Sequence, residues 1–351
     1  MKLLRLLLFP ISILYGFGVI LRNLAYDFGI FNSCKFQLPV ISVGNLSVGG
    51  SGKSPMTEYL VRLLKDKYKI ATLSRGYGRK TSGFRTVDTD SSSIDSGDEP
   101  LQFKRKFSDI TVAVCENRVK GIQQLESNHE LIIMDDAFQH RAVKPGLSIL
   151  LFEYSSLLQN QWLLPSGNLR EPLWAINRAD IIVVTKCPEK INKEQHDKVM
   201  GRFKTKRLFF SFLKYGHLKS FDEVNPDRSL NSINQKSKVI LLTGIANAAP
   251  LFATLSSYGS ELIHHQYPDH HQFSEKNITK LVSAFNDLKG DDNLIITTEK
   301  DAQRLRTSDI GTKLKDLAVY YLPVEAEFLE PERTKFNNLI EEYASKPASN
   351  N

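Results

Sequence analysis

Cysteine is scarce. The three present in 351 residues, Cys34, Cys115 and Cys187, are too few and too widely spaced for a disulfide framework or a Cys-x-x-Cys metal centre. That usage fits a reducing compartment. A charge imbalance is nearly missing too: 46 Lys and Arg face 39 Asp and Glu, and the +7 excess is spread along the chain. Such a diffuse excess describes a solvated surface and points only weakly to an anionic partner. There is no internal repeat and no basic run interleaved with aromatics, so no nucleic-acid partner is expected. What is there is an ordinary globular composition, 41% hydrophobic and 24% charged, at a length for roughly two domains.

The most informative stretch is Gly44-Asn-Leu-Ser-Val-Gly-Gly-Ser-Gly-Lys-Ser-Pro55, set between the apolar run Leu38 to Val43 and a helical pattern from Met56 to Leu64. A buried strand feeding a loop of small residues at a helix start is a phosphate cradle, because backbone N–H groups can turn inward on polyphosphate oxygens. Ser47, Val48, Gly49, Gly50, Ser51 and Gly52 form the loop, Lys53 reaches the β- and γ-phosphates, and Ser54 holds Mg²⁺. The usual first glycine of this pattern is replaced by Ser47, which makes it a variant Walker A.

At the amino terminus Leu6 to Leu21 is uncharged. At ~1.5 Å per residue it covers roughly 24 Å, short of a ~30 Å hydrocarbon core. A secretory signal lacks its small-residue cleavage site. Lys2 and Arg5 would hold this end in the cytoplasm, and a single span would then export the phosphate cradle. The expected disposition is therefore a helix lying in the cytoplasmic face of a membrane. A helix packed into the protein's own core stays open as the alternative, and Pro10, Gly16 and Gly18 are poor for any regular helix.

Further along, Lys69 to Leu73 reads as a strand opening into Ser74-Arg-Gly-Tyr-Gly-Arg79, whose Arg75, Tyr77 and Arg79 suit an anionic or sugar-bearing substrate. Asp88 to Ser96 is expected to be a mobile loop, leading to Gly97-Asp-Glu-Pro100, where Asp98 on its own reads as a helix cap. Thr111 to Val114 is another strand, ending near Arg118. The run Leu131 to Met134 delivers Asp135-Asp136 at a strand end, the pattern that places an acid beside Mg²⁺ after a Walker A. Ser148 to Phe152 and Ile181 to Thr185 are further strands, with Arg170 and Glu171 on the turn-rich loop between them. Pro188 stands where GTPases read guanine with an Asp, which favours ATP. After a polar linker from Asn225 to Ser237, a smaller α/β unit follows, with strands at Val239 to Thr243, Leu262 to Tyr267, Leu294 to Thr297 and Val319 to Leu322. Its loops carry Asp269-His-His-Gln-Phe273 and Thr297-Thr-Glu-Lys-Asp-Ala302. Adjacent histidines do not face one way, so a Zn²⁺ site is not expected there.

In their joint order these motifs resemble the tetraacyldisaccharide 4′-kinase family, and the likeness covers nearly the whole chain: Gly44-Asn with Gly49 to Pro55, Ser74 to Arg79, Gly97 to Pro100, Asp135-Asp136 with Gln139, Leu164 to Pro172, Asp269-His270 and Thr298 to Ala302. Ser47 fits that family, which places a small hydroxyl residue there. The resemblance implies a mostly parallel P-loop NTPase-like sheet with helices on both faces, a smaller second α/β domain and an N-terminal hydrophobic helix. The expected division is 1–32 for the membrane-associated segment, 33–230 for the kinase domain and 231–345 for the second. It further implies transfer of the γ-phosphate of ATP, with Mg²⁺, to the 4′-hydroxyl of an acylated glucosamine disaccharide 1-phosphate at the cytoplasmic face of the bacterial inner membrane. No protein partner is inferred. By the same resemblance Asp98 is the catalytic base and His270 its partner, with His271 ranked lower. Asp135 and Asp136 match the metal-binding acids, Arg118 an active-site arginine, and Tyr77 with Arg75, Arg79 and Arg170 the head-group contacts, with Glu171 a weaker match. Two other classes stay open at this point: a P-loop GTPase or metallochaperone, and a non-catalytic membrane-attached nucleotide-binding module.

Overall fold

The computed structural model describes residues 5, 7–188, 191–203, 207–222, 225–306 and 309–346. Lys2 and the apolar positions Leu3, Leu4 and Leu6 lie outside that set. After helix α1 (Phe9–Asp27), the chain builds eight strands of a nine-stranded sheet, β1 (Val40–Asn45), β2 (Ile70–Ser74), β3 (Arg85–Thr86), β4 (Thr111–Val114), β5 (Leu131–Met134), β6 (Leu147–Glu153), β7 (Ile181–Thr185) and β8 (Arg207–Tyr215). Helices α2 (Lys53–Leu64), α3 (Ser93–Ser96), α4 (Asp98–Lys106), α5 (Arg118–Leu125), α6 (Tyr154–Leu157) and α7 (Lys193–Arg202) fall between them. A five-stranded sheet follows: β9 (Lys219–Ser220), β10 (Lys238–Thr243), β11 (Glu261–Gln266), β12 (Asn293–Thr298) and β13 (Val319–Leu322), with α8 (Ala249–Ser256), α9 (Glu275–Asn286) and α10 (Glu299–Arg306). The chain closes with β14 (Val324–Phe328) and α11 (Glu332–Ser345).

The large sheet runs β14-β8-β7-β6-β1-β5-β2-β4-β3. Its interior pairs are parallel, and only the edge pairs β14 with β8 and β3 with β4 are antiparallel. Strands covered on both faces read as continuous apolar runs, which is why β1, β2, β5 and β7 are buried at every position. Core side chains fill both sides, Met56, Leu60 and Leu64 of α2 on one and Ile122 and Leu125 of α5 on the other.

Three expectations need correction. Asp88 to Ser96 is not all loop: Ser92 caps the short helix α3 by accepting from the Asp95 N–H at 3.1 Å. Pro10, Gly16 and Gly18 do not interrupt α1. Proline sits in its first turn, where a missing N–H costs nothing, and Gly16 lies where a Cβ would be 2.7 Å from Leu163. The segment assigned to 231–345 does not stay in the smaller unit. β14 pairs with β8, from Val324 opposite Tyr215 to Phe328 opposite Ser211, and Phe328 and Phe336 pack into the core of the large sheet. The half-polar β8 and β14 carry too weak a pattern to announce this pairing.

A buried polar knot joins α2, α4 and α10. Lys106 lies 2.7 Å from Glu58 and 3.1 Å from Glu299, and Gln102 donates to both carboxylates at 2.7 and 3.3 Å. Burial, with Glu58 beside it, pushes the Glu299 carboxyl up to about 7. The folded protein then holds a proton that the unfolded chain releases, so stability falls as pH rises from about 4.5 to about 7. Glu299→Gln should flatten that part of a Tm-against-pH curve; an unchanged slope would place the proton elsewhere.

Candidate active site

The cradle forms where β1 ends. Its loop bends through Gly49 and Gly52, at φ of 108° and 81°, and delivers Lys53 at the start of α2. Lys53 Nζ lies 3.4 Å from Asn45 Oδ1 and 3.8 Å from Asp136. Thr185 anchors the loop by donating to the Ser51 carbonyl at 2.7 Å.

Asp135 and Asp136 follow β5 directly, beside the cradle. Thr57 of α2 donates to Asp135 at 3.1 Å. Burial, with Glu99 and Asp136 nearby, pushes the Asp135 carboxyl up to about 7. Burial works the same way on Asp136, but Lys53 and Arg170 outweigh it and hold that carboxyl below the usual range. Asp136 takes φ of 46°, uncommon for a residue other than glycine, and lies 2.9 Å from Arg170. Arg170 also donates to Asn45, so it joins the cradle rather than a separate head-group surface. Ser51 Oγ, Gln139 Oε1, Arg118 Nε and Arg170 Nε are buried polar atoms with no protein partner. Unmet hydrogen-bonding groups concentrated around a P-loop fit a bound nucleotide and metal. Among the described residues no group of three or more His, Cys, Asp or Glu has metal-site geometry. A Mg²⁺ held by one or two carboxylates, a hydroxyl and substrate phosphates needs none.

The Asp98 side chain, 6% exposed at the first turn of α4, meets the smaller sheet's loops. His270 Nδ1 is 3.3 Å from its Oδ2 and Arg304 Nε is 3.4 Å away. Tyr77, largely exposed, tilts its ring over His270 with centroids 5.0 Å apart. His271 instead stacks on Tyr267 and bonds Asn277, away from the acid. Arg118 is buried, donates to the Cys115 carbonyl at 2.9 Å and is drawn by Asp135 and Asp136. Burial lowers its guanidinium to about 10. Its backbone N–H donates to His140 Nε2, and burial with the neighbouring arginines takes that imidazole down to about 4.

Two expected substrate contacts are placed elsewhere. Arg79 is spent on the Gly83 carbonyl of its own loop and on Glu116, which follows β4. Glu171 is 1% exposed, bonded to Asn23 of α1 at 2.8 Å and to Arg178 at 2.7 Å. It anchors the amino-terminal helix and has no free face for a sugar. Sequence reasoning missed Glu99, Lys300 and Arg304. Glu99 neighbours Asp98 and interacts electrostatically with Lys53 and Asp136, while burial opposes its charge. Its signal was the Gly97 to Pro100 motif itself.

A phosphate cradle with an acid pair beside it, and a carboxylate of the same unit met by an imidazole from a second sheet, defines a P-loop phosphotransferase. The sequence model of the family described as tetraacyldisaccharide-1-P 4′-kinase, LpxK, matches residues 4–344. The tetraacyldisaccharide 4′-kinase of Flavobacterium psychrophilum is 44% identical over all of both chains, and that of Phocaeicola vulgatus is 43% identical over 98% of this chain and 96% of its own. A crystal structure of LpxK from Aquifex aeolicus in complex with ATP superimposes with a TM-score of 0.76 at 32% identity, covering 97% of this chain and 99% of that one. This chain belongs to the tetraacyldisaccharide 4′-kinase family.

Gly44 tests the packing behind the site. A Cβ there would sit 2.6 Å from Phe138 Cβ and 2.8 Å from its backbone nitrogen. Gly44→Ala should therefore cost about 1–3 kcal/mol in urea unfolding, and because Phe138 follows the acid pair, ATP affinity should fall with it.

Proposed function

We propose that this chain transfers the γ-phosphoryl group of ATP to the 4′-hydroxyl of a tetraacyldisaccharide 1-phosphate, with Asp98 as general base. The observation that carries this reading is the 3.3 Å contact between Asp98 and His270, made across two sheets on the side where the cradle opens. The hydroxyl oxygen attacks the γ-phosphorus, its proton passes to Asp98, the bond to the β–γ bridging oxygen breaks, and ADP leaves. A base placed this way contributes ~10²–10⁴-fold. Lys53 and the loop Ser47 to Ser54 bind the phosphates. Mg²⁺ held by Ser54, Asp135 and Asp136 would neutralise the developing charge. Arg75 and Tyr77, on the loop after β2, suit the phosphorylated head group, and Arg118 supplies a buried charge beside the acid pair. Because the base and its partner come from different sheets, the site depends on the smaller unit sitting against the large one, as it does here.

Helix α1 supports a membrane-surface location. Its polar residues face the protein: Ser12 bonds Ser166 at 2.8 Å, Tyr15 the Arg170 carbonyl at 2.9 Å, and Asn23 Glu171. Its apolar residues face out, Leu14 being 72% and Phe17 60% exposed, with Leu21 and Leu24 continuing the stripe. Trp162 and Trp174 lie exposed on nearby loops, as headgroup-level anchors do. This suits a helix lying in the cytoplasmic face of the inner membrane, with the site opening to lipid.

With γ-labelled ATP and purified acceptor lipid, Lys53→Ala should abolish label transfer, and Asp98→Asn should cut kcat by ~10²–10⁴-fold with KM for ATP kept. Wild-type kcat in Asp98→Asn would sink the base assignment, and labelled inorganic phosphate without lipid product would leave a hydrolase. Leu14→Asp with Phe17→Asp should strip the folded protein from anionic vesicles in flotation while leaving ATP binding intact; undiminished flotation would exclude α1 as the anchor.

A further inference from the structure

Lys300 is the second residue of α10 and reaches the catalytic gap from the smaller unit. Its Nζ lies 3.2 Å from His270 Nε2 and 3.3 Å from Glu99 Oε1. An ammonium carries donors and no acceptor, so Nε2 is the acceptor in that contact. The other ring nitrogen, Nδ1, faces the Asp98 carboxylate, which accepts. Asp269 Oδ2 stands further from Nε2, at 3.9 Å, so the nearer contacts on the two sides of the ring favour one tautomer, with the proton on Nδ1.

We propose that Lys300 is a positioning residue for phosphoryl transfer, its ammonium pinning His270 as the Nδ1–H tautomer so that the ring donates to Asp98. The proposal deepens, and rests on, the reading of Asp98 as base and His270 as its partner. The ring is otherwise poorly placed to choose. His270 sits at φ of 58°, where its N–H is shared between the Gly244 carbonyl at 3.0 Å and Asp269 Oδ1 at 3.1 Å and its ring meets Tyr77, none of which selects a tautomer. A tautomer change would put a lone pair against the Asp98 carboxylate, and a ring flip would put Cδ2 there in place of a donor. Glu99 braces the ammonium from the other side, and it keeps its charge because Lys300 and Lys53 offset the burial that would otherwise neutralise it. One side chain of the smaller unit thereby bonds the partner of the base and the residue next to the base. Asp98 uses Oδ2 for both His270 and Arg304, so the donating ring fixes which oxygen is engaged and turns the other toward substrate.

The test compares Lys300→Met, Lys300→Arg and Lys300→Met in a His270→Ala background, in the label-transfer assay with the full chain. Lys300→Met should lower kcat roughly 10–100-fold with KM for ATP unchanged, Lys300→Arg should recover part of it, and in the His270→Ala background the same change should add little. ¹⁵N NMR of the histidine side chains in the folded wild type should show His270 protonated at Nδ1 and bare at Nε2, with a mixture of tautomers in Lys300→Met. An Nε2–H tautomer in the wild type overturns the proposal whatever the variants do. So does a kcat of Lys300→Met within twofold of wild type, or an undiminished further loss in the His270→Ala background, which would mean Lys300 acts on substrate directly. Wild-type kcat in Asp98→Asn would instead remove the base reading itself, a separate failure.

Discussion

The Asp98 carboxylate is a buried charge that its own sheet does not compensate. Removing a carboxylate from water costs several kcal/mol unless partners replace the lost hydration. Here the partners come from the smaller unit, His270 and Arg304. Arg304 is itself held by Asp301 at 2.7 Å, and Asp301 accepts from the Gly244 N–H at 3.0 Å and the Thr298 hydroxyl at 2.7 Å. The loops after β10, β11 and β12 are thus tied together beneath one acid of the other sheet. Chemistry and architecture would then share a cause: the group proposed above to take a proton is also one of those that join the two sheets.

Much of this was legible in the sequence where the determinants are local. The cradle needs only a buried strand, small residues at positive φ and a helix start, all contiguous from Val40 to Leu64. The acid pair was legible because an apolar strand ending in two carboxylates has few other uses. The rest depended on contacts distant in sequence. Glu171 beside Arg170 reads as a substrate contact until α1 is seen to lie over it, and β14 reads as part of the smaller unit until β8 claims it. Lys300 is one lysine among many by composition, and only the fold sets its ammonium against an imidazole.

Helix α1 inverts the usual rule for a surface helix. Its serine, tyrosine, asparagine and arginine are spent on Ser166, Arg170, Glu171 and Gln139, leaving leucine, isoleucine and phenylalanine outside. The segment packs on the protein by its polar face and presents apolar surface away from it. The same Arg170 that binds the helix through its carbonyl reaches Asn45 and Asp136 with its guanidinium. The helix and the nucleotide loop therefore lean on one residue.

The path of the chain between the sheets sets how the smaller unit can move. It leaves after β8 and returns before β14, and these crossings run side by side, joined by the Gly216 N–H donating to the Pro323 carbonyl at 3.0 Å. A body hung on one strand of chain can swivel freely. Hung on two bonded strands, it keeps bending across their common line and loses most of its freedom to twist. The smaller unit is consequently joined along a seam rather than at a point, and Lys106 to Glu299 with Arg304 to Asp98 fasten it to the large sheet at a second place.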